Sequence, residues 1–263
     1  GYDAGTALVG GTHNVIIGDS AGIATTTVDK TVLIGQGAGA GALTANADGT
    51  VAIGMNALNA ATAQGGNVAI GFESGKALTI GDGQNTIVGH QSTNALTIGQ
   101  RNVAVGYQSF TAGAVASNDN VAIGHAALNS TSTNQVEGAV AIGSSALGAL
   151  TTGSENTAVG YQALLGHVGG DKCTAIGYQA MYDTDAATVK DSDNNIAIGY
   201  RAMSGTWANN KSEGNTAIGN LAMAGAMDDA ATNVAIGQAA LTSLVSGDGN
   251  VAIGYGAGSS LDS

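Results

Sequence analysis

Apolar and polar positions alternate in one short phrase that the chain writes again and again, as NVAIG, NTAVG or NTAIG. Taking the closing glycine as position 0 aligns Gly18, Gly35, Gly54, Gly71, Gly89, Gly106, Gly124, Gly143, Gly160, Gly177, Gly199, Gly219, Gly237 and Gly254. The 236 residues from Gly18 to Gly254 make 13 steps of 17 to 22 residues, a mean of roughly 18. Fourteen units thus fill residues 1–263, and Gly1-Tyr2-Asp3-Ala4 reads as the tail of a further unit cut at its start. A short fixed period predicts a repeat array in which each unit stacks on its neighbours.

Within the phrase the alternation is that of a strand, whose successive side chains take opposite faces. Position −1 is Ile in eleven units and Val in three, and position −3 is Val in nine, Thr in four and Ile in one. Position −2, on the other face, is Ala in eleven units, and position +3 is Ala or Ser in all fourteen. Our expectation is that −1 and −3 point into each coil, while the small residues at −2 and +3 pack tightly against another backbone. The repeated anchors, among them Gly54, Gly71, Gly106, Gly124, Gly160, Gly177, Gly237 and Gly254, permit a positive φ or a close backbone approach. Position −4 is Asn in ten units, suited to a strand-entry turn and to an amide ladder between stacked copies. The variable segments, such as GGDK and SGDG, read as surface loops.

The pattern therefore predicts an all-β repeat solenoid of one coil per unit. At about 4.8 Å per coil, fourteen units would make a rod of roughly 65 to 70 Å. A single-chain left-handed β-helix also has coils of this size, but it places three aliphatic residues in each, and here the third is missing from the pattern. Two short strands and a ragged loop enclose little interior, which predicts a second buried face against other copies of the chain, through the small residues at −2 and +3.

Composition narrows the function. The chain holds 43 Gly and no Pro, with 10% charged and 4% aromatic residues, so its backbone N–H groups remain available for ladders. A net charge of −12 from 19 acidic and seven basic residues argues against a nucleic-acid partner and against anionic membranes. No apolar run is long enough to span a bilayer. The lone Cys173 cannot form an internal disulfide.

The units NVAIGYQSF, NVAIGHAAL, NTAVGYQAL, CTAIGYQAM, NIAIGYRAM, NTAIGNLAM and NVAIGQAAL resemble the head repeats of trimeric autotransporter adhesins, the YadA-like family. They are similar also to the GYQAL-type repeats of bacteriophage tail fibres. The resemblance covers essentially the whole chain. It implies a left-handed parallel β-roll, a homotrimer, and an extracellular fibre of a cell surface or virion that contacts surfaces, glycans or host receptors. The longer and uneven period departs from the adhesin heads, and the terminal SSLDS is similar to the start of a self-cleaving chaperone junction in such fibres.

Chemistry-bearing residues follow the repeat. Tyr2, Tyr107, Tyr161, Tyr178, Tyr200 and Tyr255 fall at position +1, shared by Phe72, His90 and His125, and stacking would gather them into a column. Of these, Tyr107, Tyr161, Tyr178, Tyr200 and Tyr255 form a candidate surface-binding ladder for sugars or a partner protein; the plainer reading is that they cover a strand edge or an inter-chain groove. His13, His90, His125 and His167 are spread along the chain, only His90 and His125 share a register position, and they make no ligand set in one chain. Asp191-Ser192-Asp193-Asn194-Asn195 starts like a calcium loop, but Ile196 stands where Gly is needed and Ala202 where the bidentate Glu belongs, so a solvated loop is expected. Asp48-Gly49, Asp82-Gly83 and Asp248-Gly249 read as turns. GQGAGAGA at 35–42 lacks the Gly-Lys-Ser/Thr of a phosphate loop, and no nucleophile elbow, HExxH or CxxC occurs. No catalytic residue, metal or cofactor is assigned.

The reading that combines these features is a non-enzymatic structural and adhesive fibre module. Its alternatives are a single-chain solenoid that binds ice or polysaccharide, and a trimeric polysaccharide depolymerase with acidic residues between chains. Cys173 occupies the −4 column and is expected to be a passenger thiol, with an interchain disulfide possible only if −4 lies near a threefold axis.

Overall fold

The computed structural model describes residues 1–63, 65–79, 83–111, 117–129, 135–183, 192–207 and 211–260. The chain is all-β, with one short 3-10 turn, Ala45–Ala47. Contacts divide it into two compact units, built mainly on Gly1–Ala126 and Val136–Ser263. Asp82, Asp191 and the Leu261–Ser263 end of the terminal segment lie outside the described residues.

Each unit is a parallel β-solenoid. In the first, the VAIG phrases form β1 (Val15–Ile17), β2 (Val32–Ile34), β3 (Val51–Ile53), β4 (Val68–Ile70), β5 (Thr86–Val88), β7 (Val103–Val105) and β9 (Val121–Ile123). These pair in that order, in register, so that Val51 faces Val68 and Ile53 faces Ile70. Two-residue strands β6 (Gly99–Gln100) and β8 (Ser117–Asn118) make a second small parallel sheet. The second unit stacks β10 (Val140–Ile142), β11 (Thr157–Val159), β12 (Thr174–Ile176), β13 (Ile196–Ile198), β14 (Thr216–Ile218), β15 (Val234–Ile236) and β16 (Val251–Ile253), with Ala158 facing Ala175 and Ala175 facing Ala197.

The two strand faces are the reverse of the expectation. The −2 residues Ala52, Ala69, Ala104, Ala158, Ala175 and Ala217 are buried inside the coil, whereas −1 residues such as Ile70, Ile142 and Ile176 are exposed. The narrow interior explains this: opposite the strand, the +4 column (Leu58, Phe110, Leu147, Leu164, Met181, Met203, Met223, Leu241) already fills the space. A third interior column, which the phrase pattern lacked, comes from +7 or +8: Leu43, Leu78, Leu96, Leu150, Trp207, Met227 and Leu244 are all buried.

The coil turns on left-handed backbone. Residues at +2, +4 and −5 have positive φ, as in Gln162 (55°), Leu164 (52°) and Lys172 (58°). For non-Gly residues this costs roughly 1 to 2 kcal/mol each, and bonds from such N–H groups to neighbouring rungs hold it in place. Gln162 N reaches Ser144 O at 2.9 Å, Leu164 N reaches Ala180 O at 3.0 Å, and Lys172 N reaches Ser154 O at 3.0 Å. The anchors are more demanding. Gly54, Gly71, Gly106, Gly124, Gly160, Gly177, Gly237 and Gly254 have φ between 128° and 139°. A Cβ on Gly106 would lie 2.5 Å from Gly124 O, whereas one on Gly254, in the last strand's rung, would meet nothing within 4 Å.

Candidate functional site

Three longitudinal columns carry the features that could serve a function. The first is polar and internal. Asn67, Asn85, Asn102 and Asn120 stack as a buried amide ladder, the Nδ2 of the last three each donating to the preceding Oδ1 at 3.0 or 3.1 Å. Asn195, Asn215, Asn233 and Asn250 repeat it in the second unit. The amide also reaches across its own coil, as from Asn85 Nδ2 to Gly99 O at 2.9 Å, so this column holds the solenoid closed, as the turn-and-ladder reading of −4 predicted. Cys173 belongs to it: its N–H donates to Asn156 Oδ1 at 2.8 Å, its Sγ lies 3.2 Å from Ser192 O, and the side chain is fully buried. The thiol therefore faces its own coil's interior and not an outer face where copies of the chain could meet.

The second column is aromatic and external. The anchor's φ bends the chain so that +1 leaves the strand. Tyr161, Tyr178 and Tyr200 stack with ring centroids 5.4 Å apart and interplanar angles of 14° and 11°. In the first unit Phe72, His90, Tyr107 and His125 stack at 4.9, 5.3 and 5.5 Å. Of the five tyrosines predicted as a ladder, three are thus brought into contact. Tyr107 instead lies between His90 and His125, and Tyr255, 83% exposed, follows the non-aromatic Gln238 in the repeat. Because stacked rings cover each other's faces, what they offer outward is edges and hydroxyls.

Beside the rings runs a row that the sequence reading did not single out, position +2. Gln179 Nε2 donates to Gln162 Oε1 at 2.8 Å, Gln108 to Gln91 at 3.2 Å, and Gln91 to Glu73 Oε2 at 3.0 Å. Lys76 donates to Glu73 Oε1 at 2.6 Å, and this bond with that from Gln91 holds the Glu73 carboxyl below the usual range. The signal was present in the recurrent GYQ, which places a Gln after the ring at Gln108, Gln162 and Gln179.

The third column is the outward pair −3 and −1, with Ile or Val at −1 on every rung and Val, Ile or Thr at −3. Ile142, Ile176, Ile218 and Ile236 are 36 to 39% exposed.

The remaining candidates are structural. Asp171 Oδ1 accepts from Ser154 N at 2.7 Å and Asp193 Oδ1 from Asp171 N at 2.9 Å, so these acids tie one rung's loop to the next. Lys211 bridges Asp193 and Glu213 at 2.7 and 2.9 Å. Partial burial raises the Asp193 pKa, but Lys211 and the Asp171 N–H outweigh it and leave the carboxyl below its usual value. Asp48 and Asp248 accept backbone N–H groups of the preceding rung in the same way, in keeping with the turn reading. His167 is buried with Nε2 3.0 Å from Gly170 O, and His13 lies 2.9 Å from the Thr12 hydroxyl. Among the described residues no three His, Cys, Asp or Glu side chains are grouped to hold a metal, and no helix is long and apolar enough to cross a membrane. No known protein family matches this chain, and no curated protein is significantly similar to it.

Proposed function

We propose that this chain is a structural and adhesive fibre module: a left-handed β-roll that assembles as a homotrimer into an extracellular fibre of a cell surface or virion, and attaches to surfaces, glycans or host receptors. The observation that carries this reading is the outward Val/Ile stripe. A soluble monomer seldom leaves a long contiguous apolar surface in water, and here −1 is Ile or Val in every rung of both units, with Val or Ile also at −3 in ten of the fourteen. Copies of the chain pack through that stripe, not through −2 and +3, which are already inside the coil. The repeat phrases that resemble adhesin heads and tail-fibre repeats support the same assembly. Aspartate at both Ile176 and Ile218 tests it. In the trimer, buried unpaired carboxylates force dissociation to the 25.4 kDa chain; unchanged association with both aspartates present would count against this interface.

One observation favours a second reading. Thr157, Thr174 and Thr216 share the outward face with the isoleucines, on a regular lattice of rungs. A single-chain solenoid binding ice or polysaccharide through that face requires a stable 25.4 kDa monomer and thermal hysteresis or polysaccharide retention.

A further inference from the structure

We infer that the second unit carries a binding track for an extended, neutral, β-1,4-linked polysaccharide, running along Tyr161, Tyr178 and Tyr200 with one sugar residue per rung. The inference deepens the attachment reading above and rests on it for the fibre's exposure to such a polymer.

The chemistry of the track is that of hydroxyl recognition. The rings are 45 to 48% exposed. Since their faces are mutually covered, the outward groups are phenol hydroxyls, and none of the three has a hydrogen-bond partner among the described residues. Alongside, the Gln162–Gln179 bond fixes both amide planes and leaves Gln162 Nε2 as a donor and Gln179 Oε1 as an acceptor. The track therefore offers a row of both donors and acceptors beside ring edges, which suits a ligand bearing hydroxyl groups at intervals along an apolar ring.

Charge points to a neutral polymer. The chain has a net charge of −12, yet the +1 and +2 residues from Ser144 to Gly256 are Ser, Tyr, Gln, Asn, Leu, Ala, Gly and the single charge Arg201. The matching positions of the first unit include Asp19 and Glu73. Acidic residues are thus absent from +1 and +2 on every rung of this unit.

Period selects among neutral polymers. Parallel rungs repeat at about 4.8 Å, close to the rise per sugar of an extended β-1,4 glycan, and the Tyr centroids repeat at 5.4 Å. An extended peptide advances only about 3.3 Å per residue and falls out of step. Coiled α-linked glycans curve away from a straight column. Each rung's contact is weak, but contacts on successive rungs add because the first tethers the next.

The test uses the full chain and two probes, the β-1,4-linked hexaoses of glucose and of N-acetylglucosamine, with the α-1,4-linked glucose hexaose as control. Binding is followed by NMR shifts of the tyrosine rings, and mass by light scattering on the same samples. At least one β-linked probe shifts the Tyr161, Tyr178 and Tyr200 signals, the α-linked control does not, and the triple Tyr→Phe variant, which keeps the stack but removes the hydroxyls, binds about tenfold or more weakly. Tyr107→Phe leaves binding unchanged. No shift with either β-linked probe, equal binding of the α-linked control, or full binding by the triple variant overturns the inference. A trimer that ignores both probes contradicts the track but leaves the fibre, whereas a monomer that binds them contradicts the fibre and leaves the track.

Discussion

Asn102 Nδ2 and the Asn102 backbone N–H both donate to Asn85 Oδ1, each at 3.0 Å, in a ladder where both side chains are 1% exposed. One oxygen thus satisfies two donors of the next rung. Asn102→Ala keeps the backbone bond but removes the Nδ2 bond to Asn85 and leaves the Asn120 N–H, which donates to Asn102 Oδ1 at 3.0 Å, without that acceptor. Urea unfolding should report a loss of about 1 to 3 kcal/mol. A loss below a few tenths would show that the ladder is ornamental.

Cys173 interrupts that column, and restoring its majority residue should strengthen it. Cys173→Asn gives the Asn195 N–H an acceptor and extends the amide row from Asn156, a gain of about 1 kcal/mol. Because the native thiol is buried, it should also resist thiol reagents until the protein unfolds, and electrophoresis without reductant should show no disulfide-linked species. A reductant-sensitive dimer would contradict the inward placement.

Gly106 and Gly254 separate steric from conformational cost. Both have positive φ, 138° and 128°, but only Gly106 has a neighbouring rung against its would-be Cβ. Gly254→Ala should cost about 1 to 2 kcal/mol from backbone strain alone. Gly106→Ala should cost clearly more, and equal melting temperatures for the two variants would remove close rung approach as the reason for the anchor.

Acid should weaken the fold at the loops. Hydrogen bonds from Thr12 to Asp29, from Lys76 to Glu73 and from Arg101 to Asp119 lower these carboxyls, and Lys211 with the Asp171 N–H prevails over burial at Asp193. A folded-state pKa below the unfolded value stabilises above that unfolded value, 3.8 for Asp and 4.5 for Glu, and the gain is lost as pH falls through the folded pKa. Melting temperature should be flat above about pH 5 and drop below about pH 4. Asp193→Asn should flatten part of that drop; an unchanged acid limb would show that Lys211 contributes nothing through it.

The sequence disclosed the register, the rung length and the −4 ladder because each depends on one residue type recurring at one offset. It misassigned the strand faces because apolarity says that a side chain avoids water, not which dry place it occupies. Ile176 and Ala175 are both apolar, and only the filled interior opposite, with Met181 and Met203 in the +4 column, decides that Ala goes in. The third interior column escaped notice because uneven loops shift it, to +7 at Leu78 and +8 at Trp207. The aromatic column was legible from the register, but not the stacking that covers its ring faces, which depends on coil geometry.

The central claim is that the outward Val/Ile stripe is a surface between copies of this chain. Light scattering on the purified chain measures it most directly. The account predicts a single species of three times the 25.4 kDa chain, about 76 kDa, that persists on dilution. A stable 25.4 kDa monomer would contradict it.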